Sequence, residues 1–393
     1  MIKSLFKRSG VHFGGSIISK IFTSTVYIVL SRFISPAEYG QATLVVTFSM
    51  LGSVVGDYGL SQWYQKQENE KEAFRSFMRA RLILAVISSL ALFTLITTLD
   101  WLPFSLALVT SSVLLPHALL SIATAYLIRH KDVFKPSLQQ VIQSVPILII
   151  MLIKQHSVTV LDAVTAYLIG DIVAVFLLFP RKKLSDLEGA RTPFFATLRS
   201  ATKYALLNYT SATYARADSI LVRGFLGNAA LGFYGLAYRY LEYFALLPAS
   251  LVQITFPIFA RDSKSAKKHI FALAGLMGIF GTVFGGLLAL LSPVIITGFH
   301  GSEYAPAIIV MQILSATLVF MFINAPLSSY VQSSDLVKKF LPYGILNTAL
   351  NVSLNILLIP TWGLQGAAVA MLVTECTGLL INLWFTKQLT RIS

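Results

Sequence analysis

The chain has 393 residues, 55% of them hydrophobic and only 12% charged, with a mean hydropathy of +0.72. Soluble domains carry about 25% charge, so this composition excludes a soluble enzyme. The formal charge of +14 does not point to nucleic acid, because the position of the basic residues explains it.

Twelve long apolar stretches fill the chain: 11–34, 39–58, 80–99, 102–128, 137–154, 159–180, 201–225, 233–259, 269–291, 305–329, 340–360 and 364–386. About 20 apolar residues as a helix cross about 30 Å of hydrocarbon. The stretches are continuous rather than alternating, which excludes a membrane β-barrel. Lys and Arg gather before the first stretch and after the even-numbered ones, so the positive-inside rule puts both termini in the cytoplasm. The first stretch lacks a small-residue cleavage site and reads as a retained span, not a signal peptide.

Ionisable residues inside spans are costly against lipid and usually face a cavity or a partner. In the first span Ser16, Lys20, Thr23 and Tyr27 share one helical face. Asp57 ends the second span, at the inner boundary. The following segment, Ser61 to Arg81, mixes Trp63, Tyr64, Phe74, Phe77 and Met78 with charges, and is either an interfacial helix or a polar connector. Asp171 lies near the middle of the sixth span. In the seventh, Thr202, Tyr209, Thr213, Arg216 and Arg223 share a face, and Lys203 is near its inner end. The eighth carries Arg239 and Glu242 three residues apart. Gly275, Gly278, Gly281, Gly285 and Gly286 punctuate the ninth and are expected to allow close helix packing. Glu375 sits in the middle of the last span, beside the lone cysteine, Cys376.

These residues outline a wet central space lined by cations and aromatic rings. The substrate-binding candidates are Lys20, Arg216, Arg239, Lys203 and Tyr209; the ion-coupling candidates are Glu242, Asp171, Glu375 and Asp57. Simpler roles stay open. Lys20 and Lys203 can snorkel to the surface, and Arg239 and Glu242 can neutralise each other across one helical turn. No HExxH, P-loop or GxSxG motif is present, so neither catalysis nor ATP-driven pumping is expected, and no cofactor or metal is called for.

The halves echo each other. Phe33-Ile34-Ser35-Pro36-Ala37-Glu38-Tyr39-Gly40 lines up with Phe225-Leu226-Gly227-Asn228-Ala229-Ala230-Leu231-Gly232, at the same topological position. Six spans per half implies a parallel repeat. The expected domains are two six-helix bundles, 1–190 and 191–393.

The turn Arg32 to Gly40 resembles the first-loop signature of bacterial polysaccharide exporters of the O-antigen flippase type, within the MATE-like multidrug/oligosaccharidyl-lipid/polysaccharide superfamily. Gly56-Asp57-Tyr58-Gly59-Leu60, Asp218 with Gly232-Phe233-Tyr234, Phe256-Pro257, Phe299 to Ala307 and Ile359 to Ala368 are similar to that family's motifs in the same order. The resemblance implies an all-α MATE-like fold in the bacterial inner membrane. It implies translocation of undecaprenyl-diphosphate-linked oligosaccharide repeat units by alternating access, driven by a proton or sodium gradient. It also implies a polysaccharide polymerase and a chain-length regulator as partners, besides membrane lipid. Related lipid II flippases carry two further C-terminal helices and use cations on the first and eighth helices; Lys20 and Arg239 hold comparable places. A multidrug or small-cation antiporter on the same fold is the alternative. A membrane-embedded glycosyltransferase or polymerase would call for a longer loop than any present.

Overall fold

The computed structural model describes residues 19–132, 134–179, 192–261, 263–334 and 336–392. The described residues are almost wholly α-helical and contain no strand. In chain order they are α1 (Ser19–Leu30), α2 (Pro36–Asp57), α3 (Leu60–Gln65), α4 (Glu70–Leu99), α5 (Phe104–Ser112), α6 (Leu114–Arg129), α7 (Phe134–Lys154) and α8 (Val160–Leu178). They continue as α9 (Phe194–Arg261), α10 (Ser263–Ile295), α11 (Ala307–Gln332), α12 (Val337–Trp362) and α13 (Leu364–Ile392).

Local chemistry sets the helix starts. Ser35 donates its amide and hydroxyl to the Glu38 carboxylate at 2.9 and 2.8 Å, and the Ser35 hydroxyl accepts from the Glu38 amide at 3.4 Å. With Pro36 at the first helical position, the Ser-Pro-Ala-Glu motif is a reciprocal N-cap of α2. Thr159 and Asp162 cap α8 in the same way.

α9 is broken at Gly227, where φ is 87°. The Tyr234 hydroxyl donates to Asp218, 16 residues earlier, at 2.5 Å. Unbroken helix would separate those residues by about 24 Å. The chain therefore doubles back, and 194–226 and 228–261 are separate limbs. Ten helices among the described residues are long and apolar enough to cross a bilayer. One of them holds both limbs of α9, so the described helices account for eleven of the twelve expected crossings; α1 is a shorter apolar helix, and residues 11–18 of the first stretch lie outside the described residues.

The segment Ser61–Arg81 departs from both expected forms. It is a short helix, α3, followed by the first turns of α4, and it is tucked inward. Leu60, Trp63, Tyr64, Phe74, Phe77 and Tyr126 form one buried cluster. Tyr64 stacks on Phe77 at 5.1 Å. Arg129 holds the carbonyls of Tyr64 and Gln67 and lies 4.9 Å from the Tyr64 ring centre. Burial pushes the Tyr64 phenol up, Glu70 adds to the shift, and Arg129 opposes it. A polar connector would have left these rings in water at a cost of several kcal/mol.

The helices are inside-out by soluble standards. Phe176 and Leu290 are 66% and 78% exposed, whereas Asp171 is fully buried. Lipid replaces water on the outer face, so polar groups must be satisfied within the protein.

By contacts the chain forms two compact units: Met1–Ile34 with Gln41–Arg216, and Ser35–Gly40 with Ala217–Ser393. The division into 1–190 and 191–393 follows span number; the contacts instead place 192–216 with the first unit and 35–40 with the second. In the second unit, Gly281 and Gly285 of α10 press on Leu318, Val319 and Ser315 of α11. Gly275 and Gly286 face open space, so only part of the glycine row serves packing.

Candidate functional site

In the first unit the sequence candidates fall around α1, around Asp171 and around the end of α2. The α1 stripe is partly used for packing: Thr23 bonds the Ser144 hydroxyl at 2.9 Å and the Gln140 carbonyl at 3.2 Å, both on α7. Ser19 likewise donates to the Ser137 carbonyl. Half-buried Lys20 lies one residue beyond Ser19, and Ser16 falls outside the described residues.

The second place surrounds Asp171, whose carboxylate accepts from the Gln143 amide at 2.5 Å. His117 Nδ1 stands 3.9 Å from its other oxygen, which is buried without a hydrogen-bond partner. Gly170 permits this arrangement, because a Cβ there would lie 2.5 Å from the Gln143 carbonyl oxygen. A buried carboxylate with one bare oxygen can take up a proton or a small cation.

The third place is the end of α2. Asp57 lies 3.7 Å from Arg81, which is 1% exposed and also donates to Ser121 at 2.9 Å. Ser61 donates to Asp57 at 2.5 Å. Arg81 reads as a loop cation in the sequence; it is instead a buried partner of Asp57. Tyr209 donates to the Val55 carbonyl at 3.4 Å and meets Tyr58 edge-on at 6.1 Å. Lys203 is exposed, with its ammonium 5.0 Å from the Tyr204 ring centre. Arg216 is buried further along the same limb, with Nε 3.2 Å from the Met50 sulfur.

In the second unit, Arg239 and Glu242 form a direct pair at 3.0 Å. Glu375 accepts from the Asn324 amide at 3.0 Å, and Asn382 donates to the Asn324 oxygen at 3.0 Å. Asn351 donates to Thr374 at 3.1 Å, and Asn355 donates to the Asn351 carbonyl at 2.9 Å. Sequence reasoning missed this amide ladder, although Asn347, Asn351 and Asn355 recur every four residues and must share a face. Arg81, Gln143, His117 and Asn324 were also missed. Gln143 and Asn324 were detectable as amides within apolar spans. No group of three or more His, Cys, Asp or Glu residues suited to a metal occurs among the described residues.

Polar and charged side chains thus recur within the apolar helices of both units of an all-α membrane protein. That architecture matches solved transporters. A lipid II flippase, MurJ, in an inward closed conformation superposes with a TM-score of 0.76 at 17% identity, covering 95% of this chain and 87% of that one. An inward-facing MATE-family multidrug transporter gives 0.74 at 13% identity, covering 98% of each chain. At such identities the likeness establishes the fold.

Residues 29–309 match the polysaccharide biosynthesis protein family, and the chain belongs to it. A probable flippase of Haloferax volcanii, AglR, is 27% identical over 199 residues, 47% of this chain and 40% of that protein. An uncharacterised membrane protein of Methanocaldococcus jannaschii, MJ1375, is 24% identical over 232 residues, covering 56% and 55%. The chain spans about half the length of the curated relatives it matches.

Proposed function

We propose that this protein moves a lipid-linked oligosaccharide across the cytoplasmic membrane, from the basic, cytoplasmic side outward. The cargo is a glycan on undecaprenyl diphosphate, of the kind used for O-antigen or a similar surface polysaccharide. The observation that carries the reading is a guanidinium, Arg216, buried within an apolar helix limb of a chain that belongs to a polysaccharide biosynthesis family. Cations inside spans usually face the bundle interior and mark substrate pathways, and a diphosphate is a strong, multidentate acceptor for a guanidinium. Lys20, Arg239, Lys203 and Tyr209 are the further substrate contacts in this reading. Alternating access carries the headgroup, while the prenyl tail stays in lipid. A proton or sodium gradient supplies the drive, through Asp171 or Glu375. Asp57 and Glu242 already face Arg81 and Arg239 and rank behind them. Both termini are cytoplasmic, and a polymerase and chain-length regulator act on the delivered product.

The test is deletion of the gene in its own host, with analysis of surface glycan and lipid-linked intermediates. The expected result is loss of the surface polymer and accumulation of a single lipid-linked repeat unit on the cytoplasmic face. The span carboxylates Asp171 and Glu375 are what a cation antiporter would also use. An unchanged glycan profile together with new dye sensitivity in the deletion strain would establish that reading instead.

A further inference from the structure

The Gly56 to Leu60 motif is left unexplained by transport as described above. In the first unit its backbone is strained: Tyr58 has φ of 48° and Gly59 of 69°. A bulky aromatic residue at positive φ is uncommon and persists where the surroundings hold it in place. Those surroundings are the 202–209 stretch of α9, roughly two helical turns. The Gly59 backbone lies directly on it, since a Cβ at Gly59 would stand 2.6 Å from the Ala205 amide nitrogen. The Tyr58 hydroxyl is 3.3 Å from the Thr202 hydroxyl, and its ring meets Tyr209. One turn later Gln62 and Asn208 exchange amide hydrogen bonds at 3.4 and 3.3 Å. Lys66 and Lys203 each bring an ammonium near the Tyr204 ring, at 5.3 and 5.0 Å from its centre.

These groups match one kind of ligand. The two amide bonds are long, Gln62 is exposed and Asn208 half-buried, and each amide keeps a spare N–H and a spare lone pair. Sugar hydroxyls, which both donate and accept, fit that pattern. Tyrosine rings offer an apolar surface for the C–H face of a pyranose and a polar tip for a hydroxyl. Lysine ammoniums supply point charges for phosphate. A purely structural contact between α3 and α9 would need no exposed amide pair and no paired cations beside it.

We infer that Tyr58, Tyr209, Gln62 and Asn208, flanked by Lys66 and Lys203, bind a glycosyl phosphate, and that this is where the transported glycan first docks. The docking role rests on the proposed function. The same chemistry would accept a soluble nucleotide sugar, so the test separates the two sources.

The experiment uses the full chain purified in nanodiscs and three probes: undecaprenyl diphosphate, the lipid-linked glycan pool extracted from the deletion strain, and UDP-N-acetylglucosamine. Wild-type protein is expected to bind the glycan pool about tenfold more tightly than undecaprenyl diphosphate, the increment of one or two net hydrogen bonds. Gln62→Ala with Asn208→Ala should bring that ratio to about one while leaving undecaprenyl diphosphate binding unchanged, which also shows that the variant is folded. Lys66→Ala with Lys203→Ala should weaken both lipids together. A double amide variant that keeps the tenfold preference overturns the sugar site and leaves the flippase reading standing. Wild type that binds neither lipid removes both. A response to the nucleotide sugar alone overturns the docking role and assigns the site to a soluble ligand.

Discussion

Gly40 and Gly232 each lie against the other's helix with no room for a side chain. A Cβ on Gly40 would stand 1.8 Å from the Asn228 carbonyl oxygen, and one on Gly232 would stand 1.9 Å from that of Pro36. Both residues belong to the second compact unit. They also occupy equivalent places in the two echoing turns, so the repeat meets itself at this crossing. Gly40→Ala or Gly232→Ala must push the helices apart. Overpacking of this kind costs about 1–3 kcal/mol. Each variant should lower the melting temperature in a size-exclusion stability assay, while Gly286→Ala, whose Cβ meets nothing within 4 Å, should not. Equal stability of all three variants would show that the crossing is not close-packed.

Gly59 makes a sharper case, because two constraints coincide there. Its φ of 69° disfavours any Cβ, and the 204–205 backbone leaves no space for one. Gly59→Ala should therefore destabilise the first unit by more than the roughly 1 kcal/mol of conformational cost alone. Thermal unfolding of the purified variant decides this; a drop no larger than that of an exposed helix substitution would contradict the packing described.

Arg81 and Asp57 should behave as a coupled pair. Removing one member of a buried pair typically costs about 3–5 kcal/mol, and removing both costs less. Arg81→Met should thus be poorly tolerated, and Arg81→Met with Asp57→Leu should recover part of the lost stability. A double-mutant cycle measures the coupling. Strict additivity would mean that the two side chains do not interact.

Asp171→Asn keeps an oxygen for the Gln143 amide but cannot change its charge. The protein should fold and reach the membrane with little loss of stability, while export of surface glycan falls at least tenfold. Glu375→Gln, which preserves the Asn324 contact, is expected to do the same if the second carboxylate shares the coupling. Normal export with both substitutions present would remove these carboxylates from ion coupling.

Little of the polar interior was legible in the chain, and the reason is physical. A cation in the sequence shows its distance from a span but not its partner. Arg81 lies ten residues after Lys71 in a basic, charge-rich stretch and reads as a loop cation. Only the rotation of α4 against α2 turns it inward to Asp57. Likewise Gln143 and Asp171 stand 28 positions apart, and the close approach at Gly170 alone joins them. Arg239 and Glu242 were legible, because three residues on one helix fix their proximity without any tertiary contact.

What the sequence by itself determined was the membrane frame: the long apolar spans, their approximate ends, the basic side, and the turn before α2 with its echo at Gly227. Those follow from hydropathy, length and local pattern, each readable over a window of some twenty residues because the bilayer imposes its thickness locally. What only the tertiary structure decided was which polar groups meet. The burial of α3, the Asp57–Arg81 pair, the Asn324–Glu375 contact and the Tyr58–Tyr209 ledge all depend on which faces of distant helices touch. Close packing between small residues sets those faces, and no local window of the chain contains both sides of such a contact.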